Sequence, residues 1–476
     1  MKKKILSALL CVVLCFSSVG VSAEMSGKTA SRYLKSILGA IADNYKFGIE
    51  KEELYEAVLE YILEKHPEYL EDAFVAATKK LDDYSVYYNA DELGSFMTNV
   101  NQSYVGIGVT VQKSDNGCII TDVNKNGGAY SAGILVGDEI VSINGVSIKD
   151  KSLEEAVSMI QGDQNTNVTV EVLRNDVVLS LEITRKKVII KTVSYEIVDK
   201  IGYIKIDSFA QATADEIKEA LYEIEEVARL NKIIIDVRNN PGGELKSVIQ
   251  ILDQFVPENK VLVKFEYVNP SYNYEIKSQA TFNHAPKREI VILANENSAS
   301  ASELFAGTMQ YHKLAKVVGR KTFGKGSMQE MLGIIDPPEK NLGDVKLTVA
   351  EFLKPDGTKI NKVGITPDVN VKNKLTDFDE SALTPMTISA RYTIGDSHSD
   401  VLAIEERLKA LGYNVGEVDG VYDKLTYQAT MNFQSFIGLF PYGVMDYTTQ
   451  SRLNDAIENL EIEIDTQLQK AFEILK

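Results

Sequence analysis

The sequence predicts a multidomain α/β protein, in which an N-terminal helical region, a β-rich domain, an α/β core and a small helical module follow one another. Apolar residues recur at helical spacing before residue 90. Strands and helices alternate from about 186 to 375, as in α/β layer folds. Beyond residue 393 one short pattern occurs twice, each time before a helix. The 476 residues are enough for about three domains with buried cores.

Composition excludes several classes of function. The formal net charge of −17 argues against nucleic acid as a partner, because nucleic acid selects basic surfaces. Once an N-terminal signal has left, Cys118 is the only remaining cysteine, so neither an intrachain disulfide nor a thiolate metal cluster is expected. The four histidines lack ligand spacing, and we predict no metal and no cofactor. They are His66, His284, His312 and His398.

Residues 1–23 have the pattern of a secretory signal. Three lysines after Met1 precede an apolar run from Ile5 to Val21, and small residues end at Ala23. We therefore predict cleavage after Ala23 and a secreted or cell-envelope protein. An uncleaved anchor is the alternative, since the apolar run is nearly long enough to span a bilayer.

Residues 24–93 read as a helical region with three apolar stripes. The stripes contain no residues that imply chemistry, and they predict core or partner-facing positions. Their members are Leu34, Ile37, Leu38 and Ile41; Leu54, Ala57, Val58, Tyr61 and Ile62; and Phe74, Ala77 and Leu81.

Residues 94–185 read as a small β-rich domain. A glycine-punctuated loop, Gly106-Ile107-Gly108, enters a strand at Val109, and its N–H groups could hold a carboxylate. A tight turn, a strand and an Asn-Gly turn follow in 132–145, and Ser152 with Glu155 predicts a capped helix. This order resembles a PDZ domain, which implies capture of a peptide C-terminus in the 106–108 loop. The resemblance also implies that Ile107 and Val109 line an apolar pocket. A plain β-rich packing domain is the alternative.

The region 186–375 reads as the α/β core. Strands are predicted at 203–206, 232–236 and 290–294, and Thr213 with Glu216 predicts a capped helix. The second strand runs into a turn that contains Gly242 and Gly243, at the end of a sheet strand where α/β folds place their sites.

Two segments of this core carry candidate chemistry. A small-residue run places Ser300 at a strand-to-helix turn, where free N–H groups could stabilise an oxyanion. Ser298 and Ser302 are better interpreted as helix-start residues, although sequence leaves a shift among the three open. Lys325 lies between two glycines beside Phe323 and Met328; apolar burial would favour the neutral lysine that a serine needs as a base. Each segment alone could be only a packing motif or a turn.

Together these residues resemble the carboxy-terminal processing peptidases, which use a serine–lysine dyad. The resemblance implies Ser300 as nucleophile, Lys325 as general base and Gln329 as the residue that supports the lysine. It further implies an oxyanion hole formed by the N–H of Ala301 with that of Gly242 or Gly243. It also implies a crotonase-like or ClpP-like core, closed by the motif at 364–369, and a homodimer formed through the N-terminal helices.

Residues 376–392 read as a linker, and 393–460 as a small helical module. A seven-residue segment at 420–426 recurs at 443–449 and feeds a helix each time. This module resembles the peptidoglycan-binding domains of secreted bacterial enzymes. Glu405-Glu406 departs from the glutamine usual there, and a packing module is the alternative. The tail, 461–476, is predicted as a helix that docks on the core.

We therefore expect a secreted serine endopeptidase that recognises protein substrates by their free C-termini and that can associate with peptidoglycan. A non-enzymatic adaptor that binds C-termini and cell wall is the main alternative. A peptidoglycan hydrolase is disfavoured, because the sequence shows neither a zinc-ligand set nor a paired-carboxylate motif.

Overall fold

A computed structural model describes residues 26–280, 288–335 and 341–476. The predicted export signal at 1–23 and His284 lie outside these residues. None of the helices in the described ranges is long and apolar enough to cross a membrane. The chain divides into two compact units, Met1–Asn89 with Met331–Leu347, and Ala90–Glu330 with Thr348–Lys476.

The first unit contains the predicted helical region. Its elements are α1 (Gly27–Asn44), α2 (Lys51–Lys65), α3 (Tyr69–Thr78) and strand β1 (Val86–Tyr88). β1 pairs antiparallel with residues 344–346, and Phe74 of α3 packs on Tyr87 with ring centroids 5.2 Å apart. Most apolar residues of α1 remain at the surface: Ile37 is 57% exposed and Ile41 44%.

The predicted β-rich domain opens the second unit. Its elements are α4 (Ala90–Asn101), β2 (Ser103–Gly106), β3 (Val109–Lys113), β4 (Cys118–Val123), α5 (Gly128–Ser131), β5 (Glu139–Ile143), β6 (Val146–Ser147), α6 (Leu153–Ile160), β7 (Asn167–Arg174), β8 (Val177–Thr184) and β9 (Lys186–Ile189). The sheet has the order β3-β4-β5-β7-β8, and β6 pairs with β5. The predicted capping box is confirmed, since Ser152 and Glu155 exchange both bonds. β9 pairs antiparallel with β2 in a separate two-stranded sheet.

The core is built on a six-stranded sheet. Its strands are β10 (Val193–Val198), β11 (Ile201–Ile206), β12 (Lys232–Asp236), β15 (Glu289–Ala294), β16 (Ala315–Gly319) and β19 (Val369–Asn370), in the order β10-β11-β12-β15-β16-β19. All pairings except β10 with β11 are parallel. The three strands predicted at 203–206, 232–236 and 290–294 are therefore confirmed as β11, β12 and β15.

Helices cover both faces of this sheet. Alternate residues of its strands point to opposite faces, so each strand contributes side chains to both. One face packs against α7 (Thr213–Tyr222, continued by a π-helical turn at Glu223–Val227), α8 (Leu245–Leu252) and α9 (Ala301–Tyr311). The other face, with Ile234 and Val291, packs against Ala471 and Leu475 of the last helix, α13 (Thr466–Leu475). The predicted docking of the tail is confirmed.

A second sheet contains four strands in addition to β1. They are β13 (Val261–Tyr267), β14 (Tyr274–Lys277), β17 (Ser327–Ile335) and β18 (Asn341–Leu353), with a 3₁₀ turn at Pro270–Tyr272. β13 pairs antiparallel with β14 and with residues 350–353 of β18.

The helical module is an insertion between two paired strands. β20 (Lys374–Asp377) pairs antiparallel with β21 (Glu461–Ile464), and Asp377 lies opposite Glu461. Between them lie a 3₁₀ turn (Glu380–Ala382), α10 (Ser399–Ala410), α11 (Lys424–Phe436) and α12 (Tyr447–Glu458), which share a core of their own. The chain thus leaves the α/β core after β20 and returns to it at β21, so that the segment 461–476 packs on the core.

The predicted repeat within the module is visible in its hydrogen bonds. Glu405 accepts from the Gly420 N–H at 2.8 Å and from the Thr426 hydroxyl at 2.9 Å. Gln434 accepts from the N–H of the matching glycine, Gly443, at 2.9 Å, and donates to Thr449. Glu405 is fully buried, so it is a structural counterpart of Gln434 rather than a surface group.

One predicted cap is wrong. Ala212 is the N-cap of α7, and no side chain caps the helix. The Glu216 carboxylate instead accepts from the Thr192 and Val193 N–H groups, and the Thr213 hydroxyl accepts from the Ala210 N–H. Both side chains therefore bind N–H groups of residues that lie before the helix.

Candidate active site

The candidate site lies where three neighbouring parallel strands end. β12, β15 and β16 are adjacent in the sheet, so the loops that follow them meet at one edge. The loop after β12 carries Gly242 and Gly243, the turn after β15 carries Ser300, and the segment after β16 carries Lys325. Sheet topology therefore brings together residues that are separated by tens of positions in sequence.

Ser300 occupies a strained turn at the start of α9. Its φ of 56° and ψ of −114° are unfavourable for a residue with a β-carbon. Ser298 and Ser302 are fully buried, and their hydroxyls donate to the carbonyl oxygens of Val237 and Asn240. Ser300 is half-buried. Of the three serines, Ser300 is therefore the one whose placement suits a nucleophile.

Glu303 joins the serine turn to the lysine loop. Its Oε2 accepts from the N–H groups of Ser300 at 2.9 Å and Lys325 at 2.7 Å. Because one oxygen bridges them, these two nitrogens are at most about 5.6 Å apart, the sum of the two bonds. Its Oε1 accepts from the Gly324 N–H at 2.7 Å and from the Thr322 hydroxyl at 2.6 Å. Glu303 is fully buried, and four bonds fill the acceptor capacity of a carboxylate.

The backbone of the lysine loop packs closely against residues 361–364. A β-carbon at Gly326 would lie 2.4 Å from the Asn361 nitrogen, and Gly324 has a φ of +95°. Lys325 itself is half-buried. Phe323 is 60% exposed, so the predicted apolar cover from this residue is wrong; only Met328 packs against the core.

Gln329 lies on β17, close to the lysine loop. Its amide nitrogen donates to the hydroxyls of Ser327 at 2.9 Å and Thr348 at 3.1 Å. These two bonds fix the orientation of the amide, which leaves its oxygen as the atom able to accept from a lysine.

The glycine turn lies against Ser300. A β-carbon at Gly242 would be 2.8 Å from the Ser300 β-carbon, and one at Gly243 would be 2.1 Å from the Phe209 carbonyl oxygen. The Gly242 N–H donates to Asn240 Oδ1 at 2.8 Å. Within the described ranges, no acceptor is paired with the Gly243 N–H or the Ala301 N–H.

Asn240 ties the glycine turn to its surroundings. Its buried side chain donates to the Ile206 carbonyl oxygen at 2.9 Å, while the backbone carbonyl oxygen of Asn240 accepts from the Ala299 N–H and the Ser302 hydroxyl. The glycine turn and the serine turn therefore share one set of hydrogen bonds.

Two carboxylates from distant parts of the chain flank Arg238, just before the glycine turn. Asp236 accepts from its Nε and Nη2, the latter at 2.6 Å, and Asp465 accepts from Nη1 at 2.6 Å and Nη2 at 2.7 Å. Tyr203 donates to Asp236 at 2.8 Å, and burial beside this carboxylate raises the pKa of the tyrosine.

The 106–109 loop of the β-rich domain is also built from close backbone contacts. A β-carbon at Gly108, whose φ is +81°, would be 2.8 Å from the Gly127 α-carbon. In the described part of the chain, the N–H groups of Ile107 and Gly108 have no paired acceptor. The Ile107 side chain is 1% exposed and belongs to the domain core, so it lines no open pocket here, whereas Val109 is half-buried.

Sequence reasoning missed Glu303 and Asn240. The Ser300-x-x-Glu303 spacing is a capping-box signature, which could have identified the glutamate as a partner of the serine N–H. No comparable local signal marks Asn240, whose partners come from β11, the glycine turn and the start of α9.

Comparison with known proteins agrees with this arrangement. The profile of "Peptidase family S41" matches residues 200–371, that of "PDZ domain" matches 119–174, and that of "Putative peptidoglycan binding domain" matches 397–453.

Two bacterial relatives match along most of the chain. A "Probable CtpA-like serine protease" of Staphylococcus haemolyticus (strain JCSC1435) is 34% identical over 81% of this chain and 76% of its own. A protein of the same description from Staphylococcus aureus (strain COL) is 33% identical over 83% and 77%. Among solved structures, a "photosystem II D1 C-terminal processing protease" is 23% identical, with a TM-score of 0.42, over 72% of this chain and 94% of its own. The chain belongs to peptidase family S41, and it is a serine-type endopeptidase of the carboxy-terminal processing kind.

Proposed function

We propose that the enzyme cleaves peptide bonds with a Ser300–Lys325 dyad. The observation that carries this proposal is the Glu303 carboxylate, one oxygen of which binds the backbone N–H groups of both residues. Such a bridge fixes the serine turn relative to the lysine loop, which a proton transfer from the serine hydroxyl to the lysine amine requires.

In the first half-reaction, Lys325 Nζ in its neutral form takes the proton from Ser300 Oγ as the oxygen attacks the peptide carbonyl. The resulting oxyanion accepts from the Ala301 N–H and the Gly243 N–H. Gly243 is the better candidate of the two glycines, because the Gly242 N–H is already bound to Asn240. The C–N bond then breaks, the lysine returns its proton to the amine that leaves, and an acyl-enzyme remains.

In the second half-reaction, water attacks the acyl group while Lys325 takes a proton from it. The ester bond to Ser300 breaks, and the proton passes back to the serine oxygen. The amide oxygen of Gln329 supports the lysine through this cycle. No metal takes part in these steps.

Cleavage of an unstructured protein with an apolar C-terminus tests the dyad. Ser300→Ala and Lys325→Ala should both abolish cleavage with folding retained, whereas Lys321→Ala, which removes an exposed lysine of the same loop, should not. Activity should also fall as the pH is lowered, because a protonated lysine cannot accept the serine proton. Cleavage by Lys325→Ala at the wild-type rate would refute the dyad.

We further infer that the PDZ domain selects substrates by their C-termini. The Ile107 and Gly108 N–H groups would hold the terminal carboxylate, and Val109 would contact the last side chain. A peptide with a free C-terminus should bind the protein, and the same peptide with an amidated C-terminus should not. Equal binding of the two peptides would refute carboxylate capture.

Export and attachment to the cell wall complete the proposed setting. The signal-like residues 1–23 support export, and the inserted module supports contact with peptidoglycan. N-terminal sequencing of the protein from culture medium or envelope should begin at Glu24. Purified cell walls should sediment the protein, and failure to do so would limit the module to a packing role.

A homodimer is proposed for the N-terminal helical unit. Its support is the row of exposed apolar residues on α1, among them Ile37 and Ile41. Light scattering should give twice the chain mass, and Ile37→Glu should reduce it to one chain. A wild-type protein that remains monomeric at high concentration would refute this proposal.

A further inference from the structure

Two side chains of the C-terminal tail accept from Arg238 just before the glycine turn, namely Asp465 and, at 3.2 Å, Gln467. Asp465, between β21 and α13, binds both terminal nitrogens of Arg238, at 2.6 and 2.7 Å. Arg238 is 11% exposed and lies between this carboxylate and that of Asp236, which is 2% exposed. Burial by itself would raise the pKa of the Asp465 carboxyl, but the Arg238 guanidinium and the Leu468 N–H lower it below its usual range.

Arg238 lies at the start of the glycine turn, and its neighbours in sequence bind the serine turn. The preceding residue, Val237, accepts from the Ser298 hydroxyl at 2.8 Å, and the next residue, Asn239, donates its N–H to Asn295 Oδ1 at 2.9 Å. Asn240, two residues after Arg238, accepts from the Gly242 N–H and from the Ser302 hydroxyl, and so connects the glycine turn to the serine turn. A displacement of Arg238 would therefore be transmitted to both sides of the catalytic centre.

The tail has other means of staying in place. Ala471 and Leu475 are buried against the sheet, and the Gln467 side chain donates to the Val371 carbonyl oxygen at 2.9 Å. Asp465 also caps α13 by accepting from the Leu468 N–H at 2.9 Å, a role that asparagine fills equally well. The charge of Asp465 can thus be removed without undocking the tail.

We propose that Asp465 is a positioning residue for peptide hydrolysis, which fixes Arg238 and thereby the turn that carries the oxyanion donors. This inference rests on the proposed function. It makes the last segment of the chain, beyond the inserted module, part of the catalytic apparatus.

The test is Asp465→Asn in the full-length protein, compared with Glu473→Gln. Glu473 lies on the same helix in an exposed ion pair with Lys470, so the control removes a charge without touching Arg238. We expect kcat for a peptide substrate to fall about tenfold in Asp465→Asn, with KM changed less than about twofold and the melting temperature nearly unchanged, because the oxyanion forms only in the transition state. Glu473→Gln should match the wild type in all three.

Hydrogen exchange supplies a readout that does not depend on proteolysis. The hydrogen-bonded backbone amides of the glycine turn should exchange several times faster in Asp465→Asn, while those of β12 should not change; they are the amides of Arg238, Asn239, Asn240 and Gly242. If the wild type cleaves nothing, the proposed function fails, and this exchange still decides the role of Asp465. An unchanged kcat with unchanged exchange would overturn the inference. A loss of activity fully explained by a lower melting temperature would also overturn it, because the tail would then only stabilise the fold.

Discussion

Replacement of Glu303 by glutamine should misalign the serine and the lysine without changing the size of the side chain. A glutamine presents one oxygen and one amide nitrogen where the carboxylate presents two oxygens. All four partners donate: three are N–H groups, and the Thr322 hydroxyl already accepts from the Ile365 N–H at 2.6 Å. An amide nitrogen at the Oε2 position would face two N–H donors, those of Ser300 and Lys325. At the Oε1 position it would face the Gly324 N–H and a Thr322 hydroxyl that must turn its proton away before it can accept.

The magnitude follows from the bonds lost. Two hydrogen bonds to a charged group contribute about 1.5 kcal/mol each at the lower end of the measured range. If the resulting 3 kcal/mol appears in the transition state, kcat/KM falls about 100-fold, at roughly 1.4 kcal/mol for each factor of ten. A part of the loss should also appear as a lower melting temperature, because Glu303 is fully buried.

Three measurements separate these effects. Cleavage of a fluorogenic peptide gives kcat/KM, thermal unfolding gives the stability, and a serine-reactive probe gives the fraction of protein with a competent Ser300. Glu296→Gln, an exposed carboxylate in the same turn, is the control and should behave as the wild type. If Glu303→Gln cleaves within about threefold of the wild-type rate, the carboxylate does not align the two residues.

Three further changes test other parts of the structure. Gly242→Ala should reduce kcat/KM at least about 100-fold, since its β-carbon would lie 2.8 Å from that of Ser300. Gly357→Ala is the control: its φ of +85° brings the same kind of backbone strain, but no atom lies within 4 Å of the added β-carbon, so this variant should remain active. Burial raises the pKa of Glu405, so the stability that its protonated form provides is present at low pH and is lost as the pH rises through the folded-state value. Glu405→Gln, which copies Gln434, should therefore unfold at an equal or higher temperature at neutral pH; a large drop would contradict the repeat. Excision of 378–460, with β20 and β21 joined by a short turn, should leave peptide cleavage intact while cell-wall binding is lost, and an inactive product would show that the module is required by the core.

Much of the core was predictable because its strands carry local signals. The apolar runs at 232–236 and 290–294 have no competing interpretation once helices flank them, and both became neighbouring parallel strands. The predicted strand-to-helix turn is present between β15 and α9, with Ser300 half-buried in it. The burial of Ser298 and Ser302 depends on acceptors in another segment, Val237 and Asn240, which the serine run itself does not reveal.

Contacts between distant segments could not be predicted. Glu303 looks like an ordinary helix-start glutamate, and its bond to Lys325 depends on how β16 places the following loop. The exposure of Phe323 has the same origin, since the lysine loop packs against residues 361–364 through the backbones of Gly324 and Gly326.

The place of the C-terminal tail needed the structure for another reason. Its helix buries Ala471 and Leu475 on a sheet face that is formed by strands far earlier in the chain. Nothing within 461–476 indicates that the preceding module is an insertion, or that Asp465 meets Arg238.

The most direct test of the serine–lysine mechanism is cleavage of an unstructured protein with an apolar C-terminus by the wild type, Ser300→Ala and Lys325→Ala, with a serine-reactive probe applied to each. The mechanism predicts cleavage by the wild type alone and probe attached to Ser300 in the wild type alone, with all three proteins folded. Cleavage by either variant at the wild-type rate, or probe attached to a different serine, would contradict it.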